Sequence, residues 1–212
     1  MKEYHKIETL YKRDMDGTKK LIIGDFRNPA IEMIKDCKWI GKEKIDGTNI
    51  RVYWDGHKVQ FNGRTDKANL HGHHVDYLRN TFCTPEAEQI FEENFGDKEV
   101  FLFGEGYGAG IQKCGALYRP DKAFILFDVC VNNMYLPMGA IEEIATAFNI
   151  LPVKVLKTGT INELVEFVKS KPTSECSIEQ QVVEGIVASP HIELRDQYGQ
   201  RMVVKIKVAD FN

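Results

Sequence analysis

Lys44 opens the stretch Lys44-Ile45-Asp46-Gly47-Thr48-Asn49 and is the residue of this sequence best equipped to act as a nucleophile. A lysine amine attacks only when its lone pair is free, and burial or a nearby cation or metal can free it. A strand ending at Lys44 and running into an Asp-Gly turn would hold that amine on rigid backbone at the mouth of a cleft. Read alone, the pattern KxDG also describes a surface lysine in a β-turn, so its meaning depends on what accompanies it.

Three further groups do. Phe103-Gly104-Glu105-Gly106-Tyr107-Gly108 sets a carboxylate at the end of an apolar run, among glycines that let backbone approach a ligand. Val183-Glu184-Gly185-Ile186-Val187 again puts an acid beside glycine, ahead of a buried strand. In Val203-Val204-Lys205-Ile206-Lys207-Val208 the alternation of a strand sends both lysines to one face and Val204, Ile206 and Val208 to the core. Each has a plain alternative in a solvated loop or face. Together they supply what a nucleotide α-phosphate requires. One lysine attacks, further lysines neutralise phosphoryl oxygens, and acids hold a divalent metal.

The elements that would position these groups are readable from periodicity and caps. Asn28-Pro29 predicts an N-cap and first helical residue, with a short helix to about Cys37. Trp39 to Ile45 reads as a strand. Asn49 to Trp54 and His57 to Phe61 read as a hairpin around Asp55-Gly56. Helices are expected after Thr84-Pro85, through Ala87, Ile90, Phe91 and Phe95, and along Ile141, Ile144, Ala145 and Phe148. Another follows the Thr160/Glu163 capping box, with Ile161, Leu164, Val165 and Val168 inward. Val100–Phe103, Ala123–Val131 and Val182–Ser189 read as strands, and Ile192–Arg195 is expected to pair with Arg201–Val208 across a turn near Tyr198-Gly199. Strands in groups with helices between some of them favour an antiparallel-rich α+β fold over a βαβ repeat.

Composition narrows the class. The 212 residues can bury a core without disulfides, and no linker divides them, so 1–212 is read as one domain. No run of 18 apolar residues predicts a membrane span, and the charged N-terminus lacks a signal peptide's apolar centre. The five cysteines are scattered and form no CxxC pair, which argues against a zinc site or a disulfide framework and for a reducing, cytoplasmic setting. The net charge of −3 means that nucleic acid would be held by a local basic patch. Neither GxGxxG nor a Walker-type loop is present. His71, His73 and His74 read as a polar loop or helix start rather than a metal site.

With these residues in view, the sequence resembles the covalent nucleotidyltransferases, the superfamily of ATP-dependent DNA ligases, RNA ligases and mRNA capping enzymes. Lys44–Asn49 resembles its motif I, Phe103-Gly104-Glu105 motif III, and Phe124–Val129 motif IIIa. Glu184–Val187 resembles motif IV and Lys205-Ile206-Lys207 motif V, all in family order. Glu43–Asn49, Gly104–Lys113 and Arg64 in Gly63-Arg64-Thr65 resemble the phage and trypanosome-editing RNA ligases in particular. DNA ligases and capping enzymes usually carry arginine in place of Asn49.

The resemblance implies an α+β nucleotidyltransferase domain, with antiparallel sheets flanked by helices and the active site in a cleft between them. It implies an ATP-dependent RNA ligase that joins RNA 3′-OH and 5′-phosphate ends through a lysyl-AMP on Lys44 and an adenylylated RNA, with Mg2+ or Mn2+. Lys44, Lys205 and Lys207 would be catalytic. Phe127 would stack on adenine, Glu43 would lie near the base, and Ile45 would line the nucleotide site. Asn49 and Arg64 would contact phosphates or orient the ends. Glu105 and Glu184 would contact ribose or metal, directly or through water, and Asp128 would support the pocket or the metal. A DNA ligase or a GTP-using capping enzyme is the alternative on the same fold, and a non-catalytic nucleotide- or RNA-binding module the alternative of another class. The sequence departs from the family at Ser189, where a lysine is frequent. The five residues after Lys207 leave no room for an OB-fold or other C-terminal ligase domain, so a partner protein is a candidate for supplying end binding. The host cytoplasm is the expected setting if the gene is a phage's.

Overall fold

The computed structural model describes residues 3–65, 70 and 72–211, with residue 73 described by its backbone alone. The chain begins β1 (Glu8–Thr9), β2 (Tyr11–Arg13), β3 (Leu21–Phe26), α1 (Pro29–Met33), β4 (Trp39–Glu43), β5 (Thr48–Trp54) and β6 (Val59–Gly63). It continues through α2 (Gly72–Phe82), α3 (Pro85–Phe95), β7 (Val100–Gly108), α4 (Gly115–Tyr118), β8 (Lys122–Val131), β9 (Met134–Tyr135), α5 (Met138–Ala147) and β10 (Leu151–Pro152). The last part holds β11 (Val155–Gly159), α6 (Ile161–Lys169), β12 (Gly185–Pro190), β13 (Val204–Lys207) and a 3-10 turn, Val208–Phe211.

These elements gather into two compact units. Met1–His5 and Asp46–Val153 form the first, Lys6–Ile45 and Lys154–Asn212 the second. The first unit is built on the sheet β10-β8-β7-β5-β6, with β9 on β8. One face of it buries Ile50, Val52, Trp54, Val100, Leu102, Phe124, Leu126 and Val129 against Leu78 and Phe82 of α2, Phe91 of α3 and Ile141 of α5. α3 starts where Thr84 accepts from Ala87 N with Pro85 at the first helical position, as the sequence predicts. Trp54 stacks on Phe91 with centroids 5.1 Å apart.

The second unit is built on the sheet β1-β13-β12-β4-β11. Its core joins Trp39, Ile186, Ala188, Val204 and Ile206 to the buried stripe of α6, Ile161, Leu164, Val165 and Val168. Burying such a side chain is worth about 1.5–3 kcal/mol relative to exposure, which is how a nine-residue helix is held at all. Its first turn is fixed by the Thr160/Glu163 capping box.

Several expectations hold in detail. β5 and β6 form the predicted hairpin, in register from Ile50↔Gly63 to Trp54↔Val59. One holds in part: Arg195 bridges Arg201 and Met202 N donates to the Leu194 carbonyl at 3.0 Å, but the pairing does not extend along β13. β13 instead pairs antiparallel with β12 and parallel with β1. Val204 and Ile206 are apolar enough to be buried, and pairing with β12 sets them beside Ile186 and Ala188 on the face that packs against α6. The predicted strand Val182–Ser189 begins at Gly185, because Val182 is taken by a bridge to Thr173.

Candidate active site

In the second unit, pairing register decides which side chains share a face. Gly185 pairs with Lys207, and the Lys44 amide continues the ladder beyond β4 by donating to the Gly185 carbonyl at 3.0 Å. Val187 lies between Lys42 and Lys205. Lys42, Lys44, Lys205 and Lys207 therefore stand in two rows on one face, while Glu43, Ile186 and Ile206 occupy the other. Glycine at 185 lets β13 come close. A Cβ there would run into the Ile206 carbonyl oxygen and lie 2.7 Å from Lys207 Cα.

Glu184 sits at the end of this array. Its carbonyl accepts from Val208 N at 3.0 Å, which fixes its backbone beside motif V. Its carboxylate takes one ammonium on each oxygen, Lys44 Nζ on Oε2 at 2.5 Å and Lys207 Nζ on Oε1 at 2.6 Å. All three side chains are partly exposed, so the array opens to a ligand. Lys205 stands next along β13. Burial, then Lys207 and Lys44, hold it below the ordinary lysine value. Lys44 and Lys207 share the Glu184 carboxylate, which leaves an excess of positive charge at this end suited to a phosphate chain.

Glu43 is turned away from this array. It is buried, its carboxylate accepting from the Ser174 hydroxyl and, at 3.0 Å, from Glu175 N. The neighbour of the nucleophile thus anchors the segment that leads, through the Thr173↔Val182 bridge, to Glu184. Cys176 beside it is pushed up to about 12 by burial and by Glu43, which leaves that thiol inert at neutral pH. Ile45 is buried.

The remaining predicted residues lie in the first unit. Asn49 on β5 pairs with Glu105 on β7, on the sheet face opposite the apolar core. The Asn49 side-chain oxygen is buried without a hydrogen-bond partner among the described residues, a cost that a bound donor such as a ribose hydroxyl would offset. The register of β7 with β8 runs Phe103↔Asp128 and then Gly104↔Leu126, so Phe127 is the extra residue of a β-bulge. Bulges re-aim side chains next to functional sites. Phe127 is half-buried, with the Tyr4 ring edge-on at 5.1 Å. Asp128 is buried and accepts from the hydroxyl of Tyr4, whose ring packs on Phe127, at 2.5 Å. Arg64 is exposed, and the Gly63 carbonyl before it accepts from the Nε of Arg51, a wholly buried arginine, at 2.7 Å.

Tyr4, Arg51 and Ser174 are the residues that sequence reasoning missed. Alternation along β5 puts Arg51 on the face of Asn49 and could have marked it. Nothing local marks Tyr4 or Ser174, whose partners stand 124 and 131 residues away. Of the histidines, His74 lies in the start of α2 and is buried, its Nε2 3.0 Å from the Ala123 carbonyl. His71 and the His73 side chain lie outside the described residues.

Among the described residues no group of three or more His, Cys, Asp or Glu could hold a metal by itself. An ion such as Mg2+ binds through one or two carboxylates, water and substrate phosphates. Glu184 in the second unit and Glu105 in the first each offer a carboxylate.

In the second unit Lys44, just past a strand end, shares the Glu184 carboxylate with Lys207, and in the first unit a β-bulge carries the half-buried Phe127. The chain matches the model of the RNA ligase family over residues 37–207 and belongs to that family. Its fold is similar to that of Naegleria gruberi RNA ligase solved as a lysine-to-alanine variant with ATP and Mn. That match has a TM-score of 0.63 at 20% identity, covering 86% of this chain and 52% of that one. The same ligase with PPi gives 0.63 at 22%, covering 86% and 53%. A lysine-to-methionine variant with AMP and Mn gives 0.62 at 19%, again covering 86% and 53%. The chain thus spans about half the length of the solved ligases it matches.

Proposed function

We propose that this chain is an ATP-dependent RNA ligase that works through a lysyl-AMP on Lys44. The observation that carries the reading is the Glu184 carboxylate shared between Lys44 and Lys207. The ammonium paired with Glu184 has no lone pair to offer, so attack begins when Lys44 parts from Glu184 and gives up a proton to solvent. Lys44 Nζ then forms a bond to the ATP α-phosphorus, the bond to pyrophosphate breaks, and a second proton of the amine passes to solvent. Lys207 and Lys205 neutralise the phosphoryl oxygens as charge develops. Phe127 stacks on adenine. Glu184 and Glu105 are the carboxylates that would hold a divalent ion, whose contribution when bound is to neutralise the phosphates.

In the second step an oxygen of the RNA 5′-phosphate attacks the adenylyl phosphorus. The P–N bond breaks and Lys44 recovers a proton. In the third, the 3′-OH attacks the 5′-phosphorus and gives its proton to solvent, a phosphodiester forms and the bond to AMP breaks. Asn49 and Arg64 act on the phosphates and the ends. Capture of those ends by further polypeptide, on the same chain or a partner protein, is part of the proposal, as is a cytoplasmic setting.

Sealing assays test the substrate class. Nicked and single-stranded RNA carrying 3′-OH and 5′-phosphate ends are expected to be joined with ATP and not with GTP. Joining of DNA in preference to RNA, or use of GTP alone, would move the assignment to a DNA ligase or a capping enzyme.

A further inference from the structure

We propose that Tyr118 and Gln112 are positioning residues that clamp the Asp46-Gly47 turn, the segment that follows the nucleophile in the chain, and that this clamp supports adenylylation. The inference rests on the ligase reading and assigns a role to two residues outside the catalytic set. The chain leaves the second unit at Ile45 and enters the first at Asp46, so this turn is the first-unit end of a short link to the nucleophile. Three neighbours fix it. Gly47 lies flat against β7, where a Cβ would run into the Gly106 carbonyl oxygen and lie 2.7 Å from Glu105 Cγ. The Asp46 amide donates to the Tyr118 hydroxyl at 3.3 Å. The Gln112 carboxamide donates to the Gly47 carbonyl at 3.0 Å.

Each arm is itself held. Tyr118 is buried, its ring edge-on to Tyr107 at 5.9 Å. The loop that delivers Gln112 is closed by Ile111 N donating to the Gly108 carbonyl at 3.1 Å, and by the close seat of Gly115 on Gly108. Gln112 has φ of 79°, a left-handed conformation that is strained for a non-glycine residue and persists where the surroundings over-determine it. Glycine would fit that backbone better. Its side chain is exposed and does not fill a core, so packing does not account for a glutamine there. Its contact with the turn does. Strain of this kind gathers where geometry serves function.

The test is single-turnover lysyl-AMP formation by the full chain with magnesium and ATP, measured alongside thermal melting. Gln112→Gly relieves the backbone and deletes only the amide arm, so it melts at or above the wild-type temperature. Its rate at saturating ATP is expected to fall about tenfold, with the ATP concentration for half-maximal rate within about twofold of wild type. Tyr118→Phe keeps the ring on Tyr107 and loses only the hydroxyl, with a fall of similar size expected. Because both arms act on one turn, the double variant is expected to depart from the product of the single effects. Wild-type rates in both single variants would overturn the clamp. Absence of an adduct in wild-type protein shown to carry no prebound AMP would instead overturn the ligase reading, so the two failures are distinguishable.

Discussion

Glu184 and Lys44 meet as an ion pair, Oε2 to Nζ at 2.5 Å, while the other oxygen of the same carboxylate holds Lys207 at 2.6 Å. The acid thereby keeps two half-buried lysines side by side and sets where the nucleophile rests. Glu184→Ala removes the carboxylate in contact with both and leaves two ammoniums facing one another. Lysyl-AMP formation in that variant is expected to fall by about a hundredfold or more, on the scale of losing one preorganised electrostatic group. Rapid-quench measurement of the adduct checks it. A Glu184→Ala rate near wild type would mean that the carboxylate is a bystander.

Lys205 is displaced downward, first by burial and then by Lys207 and Lys44. It therefore loses its charge at a lower pH than an ordinary lysine. Its help to the phosphoryl oxygens is present at neutral pH and lost as pH rises through the lowered value. Lys205→Arg keeps the charge throughout, so the alkaline fall in the adenylylation rate is expected to move to higher pH in that variant. Stability runs the other way, since the fold favours the neutral amine and gains as pH rises through the same value. A pH–rate profile of the two proteins decides, and coincident alkaline limbs would remove Lys205 from the account.

Phe127 carries little of the core and is offered by a bulge. Phe127→Leu is thus expected to leave the melting temperature nearly unchanged. It should raise the half-saturating ATP concentration about five- to a hundredfold, since stacking on a base is worth about 1–3 kcal/mol. Titration of the adduct yield with ATP reads this directly.

How much of this was legible in the sequence differs by distance along the chain. The order Lys44, Glu105, Glu184, Lys205, Lys207, the strand around Lys205 and the capped helix of α6 are local patterns, and periodicity exposes them. The β5–β6 hairpin was readable because Asp55-Gly56 names its turn. The partner of β13 was not, since a strand's local sequence marks its buried face and not its neighbour. Glu43 shows the same limit. Its motif says nothing of the hydrogen bonds that its carboxylate accepts from Ser174 and Glu175, which only the fold brings near.

That anchoring makes a stability prediction. Ser174→Ala leaves one oxygen of the buried Glu43 carboxylate without its hydroxyl donor, a loss of about 1–3 kcal/mol. A lowered urea midpoint is expected, and an unchanged midpoint would mean that water replaces the hydroxyl at no cost.

The central claim is that Lys44 takes up adenylate. Intact mass spectrometry after incubation with magnesium and ATP, beside GTP and Lys44→Ala controls, measures it most directly. One added adenylate is expected with ATP, none with GTP and none in the variant. Protein without prebound AMP that gains no adenylate, or a Lys44→Ala chain that still gains one, would contradict the account.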